Sequence, residues 1–123
     1  RTVVTVSDET PVLFLIDTAS GRVTREVALE GVAKPAQIVR YSPDDKLVVV
    51  SSLNSDTVSI IDASFGAQTA VPVGSQPMDF AFHGDELFVG CQGDGSMHIV
   101  DIPNRRHKGS FKAGTGCESV GFY

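Results

Sequence analysis

Val12-Leu-Phe-Leu-Ile-Asp17 recurs as Thr57-Val-Ser-Ile-Ile-Asp62 and again as Met97-His-Ile-Val-Asp101, each a strand-like run closed by an aliphatic pair and an aspartate. The closing aspartates are 45 and 39 residues apart, close to the period of a four-stranded propeller blade. A second register precedes each unit's next strand: Gly31-Val-Ala-Lys-Pro35, Gly74-Ser-Gln-Pro77 and Gly114-Thr-Gly-Cys117. A third is the apolar run at 3–6, 47–52 and 87–91, rich in β-branched or aromatic side chains, which favour a pleated, half-buried surface. No segment spaces its apolar residues as a helix would, so the chain is read as all-β.

The same residues carry a family resemblance. Pro35, Ser42-Pro43-Asp44-Asp45-Lys46-Leu47 and Asn54-Ser55-Asp56-Thr57-Val58-Ser59-Ile60-Ile61-Asp62, with the turn Asp17-Thr18-Ala19-Ser20-Gly21, resemble the YVTN-type β-propeller repeat over the whole chain. The chain departs from that pattern in three places: Asp45 where glycine is usual, one extra residue between Ile38 and Ser42, and Cys117 in place of a third proline. The resemblance implies a bacterial protein, exported or at the cell surface (periplasmic, extracellular or surface-bound).

The expected architecture is three four-stranded antiparallel blades of about 41 residues within one domain over 1–123. Within each unit the order is B, C, D, A. B strands are expected at 2–6, 47–52 and 87–91, and C strands at 12–16, 57–61 and 96–100. D strands follow at 23–29, 68–73 and 107–112, then A strands at 38–41, 80–82 and 120–123. The polar, proline- and lysine-bearing D runs suit an outer edge, and the short apolar A runs suit the crowded inner end. Met78, Phe80 and Phe82 read as core or channel lining.

Three blades do not close a ring, since propellers typically have about 4–8. The expectation is therefore either two copies joined into a six-bladed ring or a piece of a larger propeller. An opening Arg1 rather than Met is read as the loss of an export signal, a tag or further blades.

With 41% hydrophobic and 20% charged residues, the chain can pack a core and does not fit the disordered class. No apolar run is long enough for a membrane-spanning helix, and no signal peptide is recognisable. Asp17, Asp62 and Asp101 look like a carboxylate triad, but an aspartate heading each C–D turn caps backbone amides two residues on. Catalytic groups have no reason to recur once per blade. Asp62→Ala is accordingly expected to cost about 1 kcal/mol in lost turn hydrogen bonds. Ser42 to Lys46 reads as a tight A–B turn with Pro43 fixing φ, and Arg105-Arg106-His107-Lys108 as a solvated hairpin tip.

Strand alternation puts the B–C and D–A loops on one face. That face carries Asp8, Glu9, Glu30, Asp56, Asp79, Asp94 and Glu118 against Lys34 alone. An acidic rim attracts cations or a basic partner and repels phosphate backbones, so a protein or small-molecule ligand is expected and nucleic acid is not. The candidate binding residues are Asp8, Glu9, Lys34, Asn54, Asp56, Gln76, Asp79, Gln92, Asp94 and Glu118.

No catalytic residue, cofactor or metal site is assigned, although hard carboxylate oxygens could hold Ca²⁺. His83, His98 and His107 fall at different repeat positions and promise no convergence. Cys91 and Cys117 lack CxxC spacing. They read as two ordinary thiols or, since both sit towards one face on neighbouring blades, as a bridge. The functional reading is a non-catalytic binding scaffold. The alternative is part of a propeller enzyme, because relatives of the resembled family include lactone hydrolases and quinone- or metal-dependent oxidoreductases working at the channel mouth.

Overall fold

A computed structural model describes residues 1–117 and 119–122. Eleven strands lie among them: β1 (Thr2–Val6), β2 (Val12–Asp17), β3 (Val23–Ala28), β4 (Ile38–Tyr41), β5 (Leu47–Ser52), β6 (Thr57–Asp62), β7 (Gln68–Pro72), β8 (Pro77–His83), β9 (Glu86–Cys91), β10 (Ser96–Asp101) and β11 (Arg106–Lys112). All pairings are antiparallel meanders, in sheets ordered β1-β2-β3, β4-β5-β6-β7 and β8-β9-β10-β11. The chain is a partial β-propeller of three blades.

Two expectations need correction. The first blade has three strands, because its meander opens on the B strand β1. No strand forms at 120–122, within the A strand expected at 120–123; its last residue, Tyr123, lies outside the described residues. Elsewhere the strands fall where the repeats put them, with β8 beginning three residues before the expected 80–82.

Period-two alternation explains how the blades stack. In the middle blade Val48, Val50 and Ile61 join Leu13, Leu15 and Val27 of the first blade in one core. Val49, Val58 and Ile60 point the other way and meet Phe80, Leu87, Val89 and Val100 of the third. The middle blade is thus buried on both faces, which is why β5 and β6 read as near-continuous apolar runs. Each such side chain contributes about 1.5–3 kcal/mol when fully buried. The D strands β3, β7 and β11 are the exposed outer edges. Phe80 is buried and Phe82 packs against the second core, as expected.

The turns show how particular residues meet the backbone's demands. Asp45 takes φ +61°, the left-handed conformation in which glycine is easiest and aspartate is tolerated. Ser42 and Asp44 brace that turn: Ser42 Oγ donates to Asp44, and Leu47 N–H donates to Ser42 Oγ at 3.0 Å. The run Arg105 to Lys108 is largely exposed, as expected of a hairpin tip, but only Arg105 lies in the turn itself. Arg105 occupies the turn at φ +54°, the next three residues belong to β11, and the cations pair with Asp62, Asp101 and Glu86.

Candidate binding face

The loops at 53–56, 73–76 and 92–95 are short, so their backbone amides must find partners outside the ladder. In the middle and third blades they find them across the blade boundary. Gln76 N–H donates to Asp56 Oδ1 at 3.0 Å, Ser75 N–H to Asp94 Oδ2 at 3.3 Å, Gln92 N–H to the Gln76 carbonyl at 3.0 Å, and Gly93 N–H to the Ser75 carbonyl at 3.0 Å. Four expected site residues, Asp56, Gln76, Gln92 and Asp94, are thereby gathered into one cross-braced ridge. Glycine is needed at 93, where a Cβ would press within 2.9 Å of the Ser75 backbone carbonyl oxygen.

Asp94 is central. Its Oδ1 accepts from Ser96 N–H at 3.1 Å and from the Ser96 hydroxyl. The Ser96 hydroxyl, and then the Ser75 and Ser96 amides, hold the Asp94 carboxyl below its usual range against the opposing effect of burial. Lys112 Nζ donates to the Asp94 carbonyl at 2.8 Å. Gln92, Gly93, Asp94, Lys112 and Thr115 line a recess of about 430 Å³ on this face.

Asp79 goes elsewhere. It is 8% exposed, paired with the Arg40 guanidinium, and accepts N–H bonds from Phe80 at 2.9 Å and Val120 at 3.1 Å. Arg40 also donates to the Phe80 carbonyl at 2.8 Å and lies over its ring. Asp79 therefore clasps β4, β8 and the C-terminal segment together, with both carboxylate oxygens engaged. Asp8, Glu9, Lys34 and Asn54 are exposed, and among the described residues their side chains make no hydrogen bond or ion pair. Glu118 lies outside the described residues.

Cys91 and Cys117 are both free, so the bridge is absent. Successive side chains alternate across a strand. Cys91 packs into the core against the middle blade, whereas Cys117 sits on the opposite side of β9, its Cβ 3.5 Å from where a Cβ on Gly90 would be. Burial pushes the Cys91 thiol up to about 11, which makes it a packing group rather than a nucleophile.

Two features were not legible in the sequence. A larger hollow of about 560 Å³ opens on the opposite face, between the middle and third blades, lined by Ser42, Leu47, Asp62, Phe82, Asp85 and Arg105 among others. And His98 and His107 meet, Nδ1 to Nε2, at 2.8 Å. Their spacing of nine residues spans a hairpin, the one sequence signal that could have paired them. Among the described residues, no three His, Cys, Asp or Glu side chains converge as a metal cage, and no helix is long and apolar enough to cross a membrane.

No family model matches the chain, and no curated protein matches it either. Solved structures do. The hydrazine synthase of Kuenenia stuttgartiensis aligns with a TM-score of 0.77 and 22% identity, over 89% of this chain and 32% of that one. The computationally designed Ika8 protein aligns with a TM-score of 0.73 and 18% identity, over 99% of this chain and 37% of that one. At these identities the likeness carries the fold alone. The chain spans about a third of the length of either.

Proposed function

We propose that this chain is a non-catalytic propeller module of the YVTN-repeat type that binds a protein segment or small molecule, cationic in character, through its B–C/D–A loop face. The observation that supports this most is the braced ridge Asp56–Gln76–Gln92–Asp94. Binding surfaces gain affinity when their loops are ordered beforehand, and here inter-blade hydrogen bonds supply that order beside a recess. The unengaged carboxylates of Asp8 and Glu9 add negative potential to the same face.

The test is an amide-resolved NMR titration with a tetralysine peptide, and tetraglutamate as the control. Shifts concentrated at 92–95 and 112–116 for the cationic peptide alone are expected. No shift at millimolar peptide, or shifts confined to the hollow around Ser42 and Arg105, would overturn the reading.

A further inference from the structure

His98 on β10 and His107 on β11 are not register partners: His98 faces Ser110 and His107 faces Val100. A bulge between Ile99 and Val100 offsets the two strands and lets the imidazoles meet side by side, His98 Nδ1 2.8 Å from His107 Nε2. The other ring nitrogen of His98, Nε2, is 2.9 Å from Ser96 Oγ. Ser96 is buried and its hydroxyl also reaches Asp94.

These contacts fix the tautomer. An ionised carboxylate only accepts, so Ser96 donates to Asp94 and its oxygen accepts the His98 Nε2–H. His98 is left with its Nδ1 lone pair turned towards His107. A metal-ligating imidazole is normally oriented in this way, its second nitrogen tied to a carboxylate, a carbonyl or water; here the Asp94-bound hydroxyl of Ser96 takes that place.

We propose that His98 Nδ1 and His107 Nε2 form a two-imidazole site for a late first-row divalent cation, with Cu²⁺ held most tightly. With metal–nitrogen bonds of about 2.0–2.1 Å, a right-angle pair of ligands stands about 2.9 Å apart and a tetrahedral pair about 3.3 Å. The 2.8 Å separation is close to the right-angle spacing, so each ring need only turn its nitrogen off the N···N line towards a shared ion; tetragonal Cu²⁺ or Ni²⁺ takes that arrangement, and Cu²⁺ also heads the affinity order for imidazole donors. Without metal, the same spacing is an N–H···N hydrogen bond. On binding, its proton relocates to His107 Nδ1, so both imidazoles remain neutral and no net proton is released. Among the described residues no third donor side chain joins the pair, so solvent completes the coordination. His107 is exposed on the outermost strand, which gives the ion its path in.

The experiment is calorimetric titration of the full chain with CuCl₂ at pH 7.5, with paramagnetic resonance of the loaded protein. One equivalent bound, with a spectrum showing two nitrogen ligands, is expected. His98→Ala and His107→Ala should each weaken binding at least tenfold, while His83→Ala leaves it unchanged. Ser96→Ala keeps both ligands but frees the tautomer, and should weaken binding by about tenfold with the two-nitrogen signature retained. Circular dichroism establishes that each variant keeps its strands. No binding at 1 mM Cu²⁺, or undiminished binding in a folded His98→Ala/His107→Ala double variant, would overturn the site.

Discussion

Asp17, Asp62 and Asp101 hold equivalent positions in three hairpins, and only two of them cap. Asp17 Oδ2 accepts from Ser20 N–H at 2.9 Å, and Asp101 accepts from the Asn104 side chain at 2.8 Å and its N–H at 3.3 Å. Among the described residues Asp62 receives no such bond. Its turn places the left-handed residue one position earlier, at Phe65 (φ +60°), rather than at the position of Gly21 or Arg105, and its carboxylate reaches Arg105 at 4.0 Å instead. Asp62→Ala therefore removes no turn hydrogen bond, and the expected cost of about 1 kcal/mol does not arise. Asp17→Ala and Asp101→Ala should each lower the urea midpoint measurably, while Asp62→Ala stays within error of the parent. Hydrogen bonds from Ser20 and Asn104 hold the Asp17 and Asp101 carboxyls below their usual 3.8. A lowered folded-state value makes this contribution fully present above about pH 4 and lost as pH falls through that lowered value. The gap between the parent and Asp17→Ala should accordingly close on acidification below pH 4. A gap that stays constant down to pH 2 would show that the carboxylate is not the source.

At the scale of elements, the boundary between β7 and β8 is set by what crosses it. Gly74 opens the lead-in to Pro77, and its backbone could belong to any residue, since its φ is ordinary. Space favours glycine: a Cβ there would stand 2.9 Å from His98 Cδ2 and 3.0 Å from Asp94 Oδ2, and closer still to His98 Nε2, so the ends of those two side chains would have to move aside. Gly74→Ala should cost less than overpacking a core, up to about 1 kcal/mol, because the side chains it meets can give way. It should also shift the imidazole resonances of His98. Thermal unfolding and histidine-selective NMR read the two effects separately, and unperturbed His98 signals in the variant would refute the contact.

For the whole molecule, stacking three blades buries two inter-blade cores and leaves two outer faces. Val3 and Val23 are about half exposed on the first blade, and Phe111 and Phe122 on the third, at 49%, 54%, 50% and 49%. Part of the third blade's outer face is covered by the C-terminal segment: Val120 packs over Gly90, and Phe122 stacks on His83 and meets Phe88 edge-on. Apolar area is worth about 25 cal/mol per Å² when removed from water. The polypeptide 1–123 on its own should therefore self-associate, its outer faces covered by a second copy where further blades of a longer chain are not there to do so. Light scattering at micromolar concentration checks this: a stable, soluble 13.0 kDa monomer would remove the need for covering.

The blade period, the strand positions from β1 to β11 and the outer placement of β3, β7 and β11 were all in the sequence. They follow from local periodicity and turn chemistry, which need no knowledge of what lies across the blade boundary. The loop ridge was partly legible, since strand alternation alone puts Asp56, Gln76, Gln92 and Asp94 on one face. Three outcomes were decided by tertiary contact. Asp79 was drawn away from the loop face by Arg40, a residue 39 positions earlier in another blade. The cysteines were parted because alternation along β9 sends Cys91 and the contact made by Gly90 to opposite sides. The histidines were joined by a bulge that repeat spacing does not encode. In each case the deciding interaction links residues distant in sequence or depends on a one-residue shift of register, and a one-residue shift changes every neighbour a side chain has.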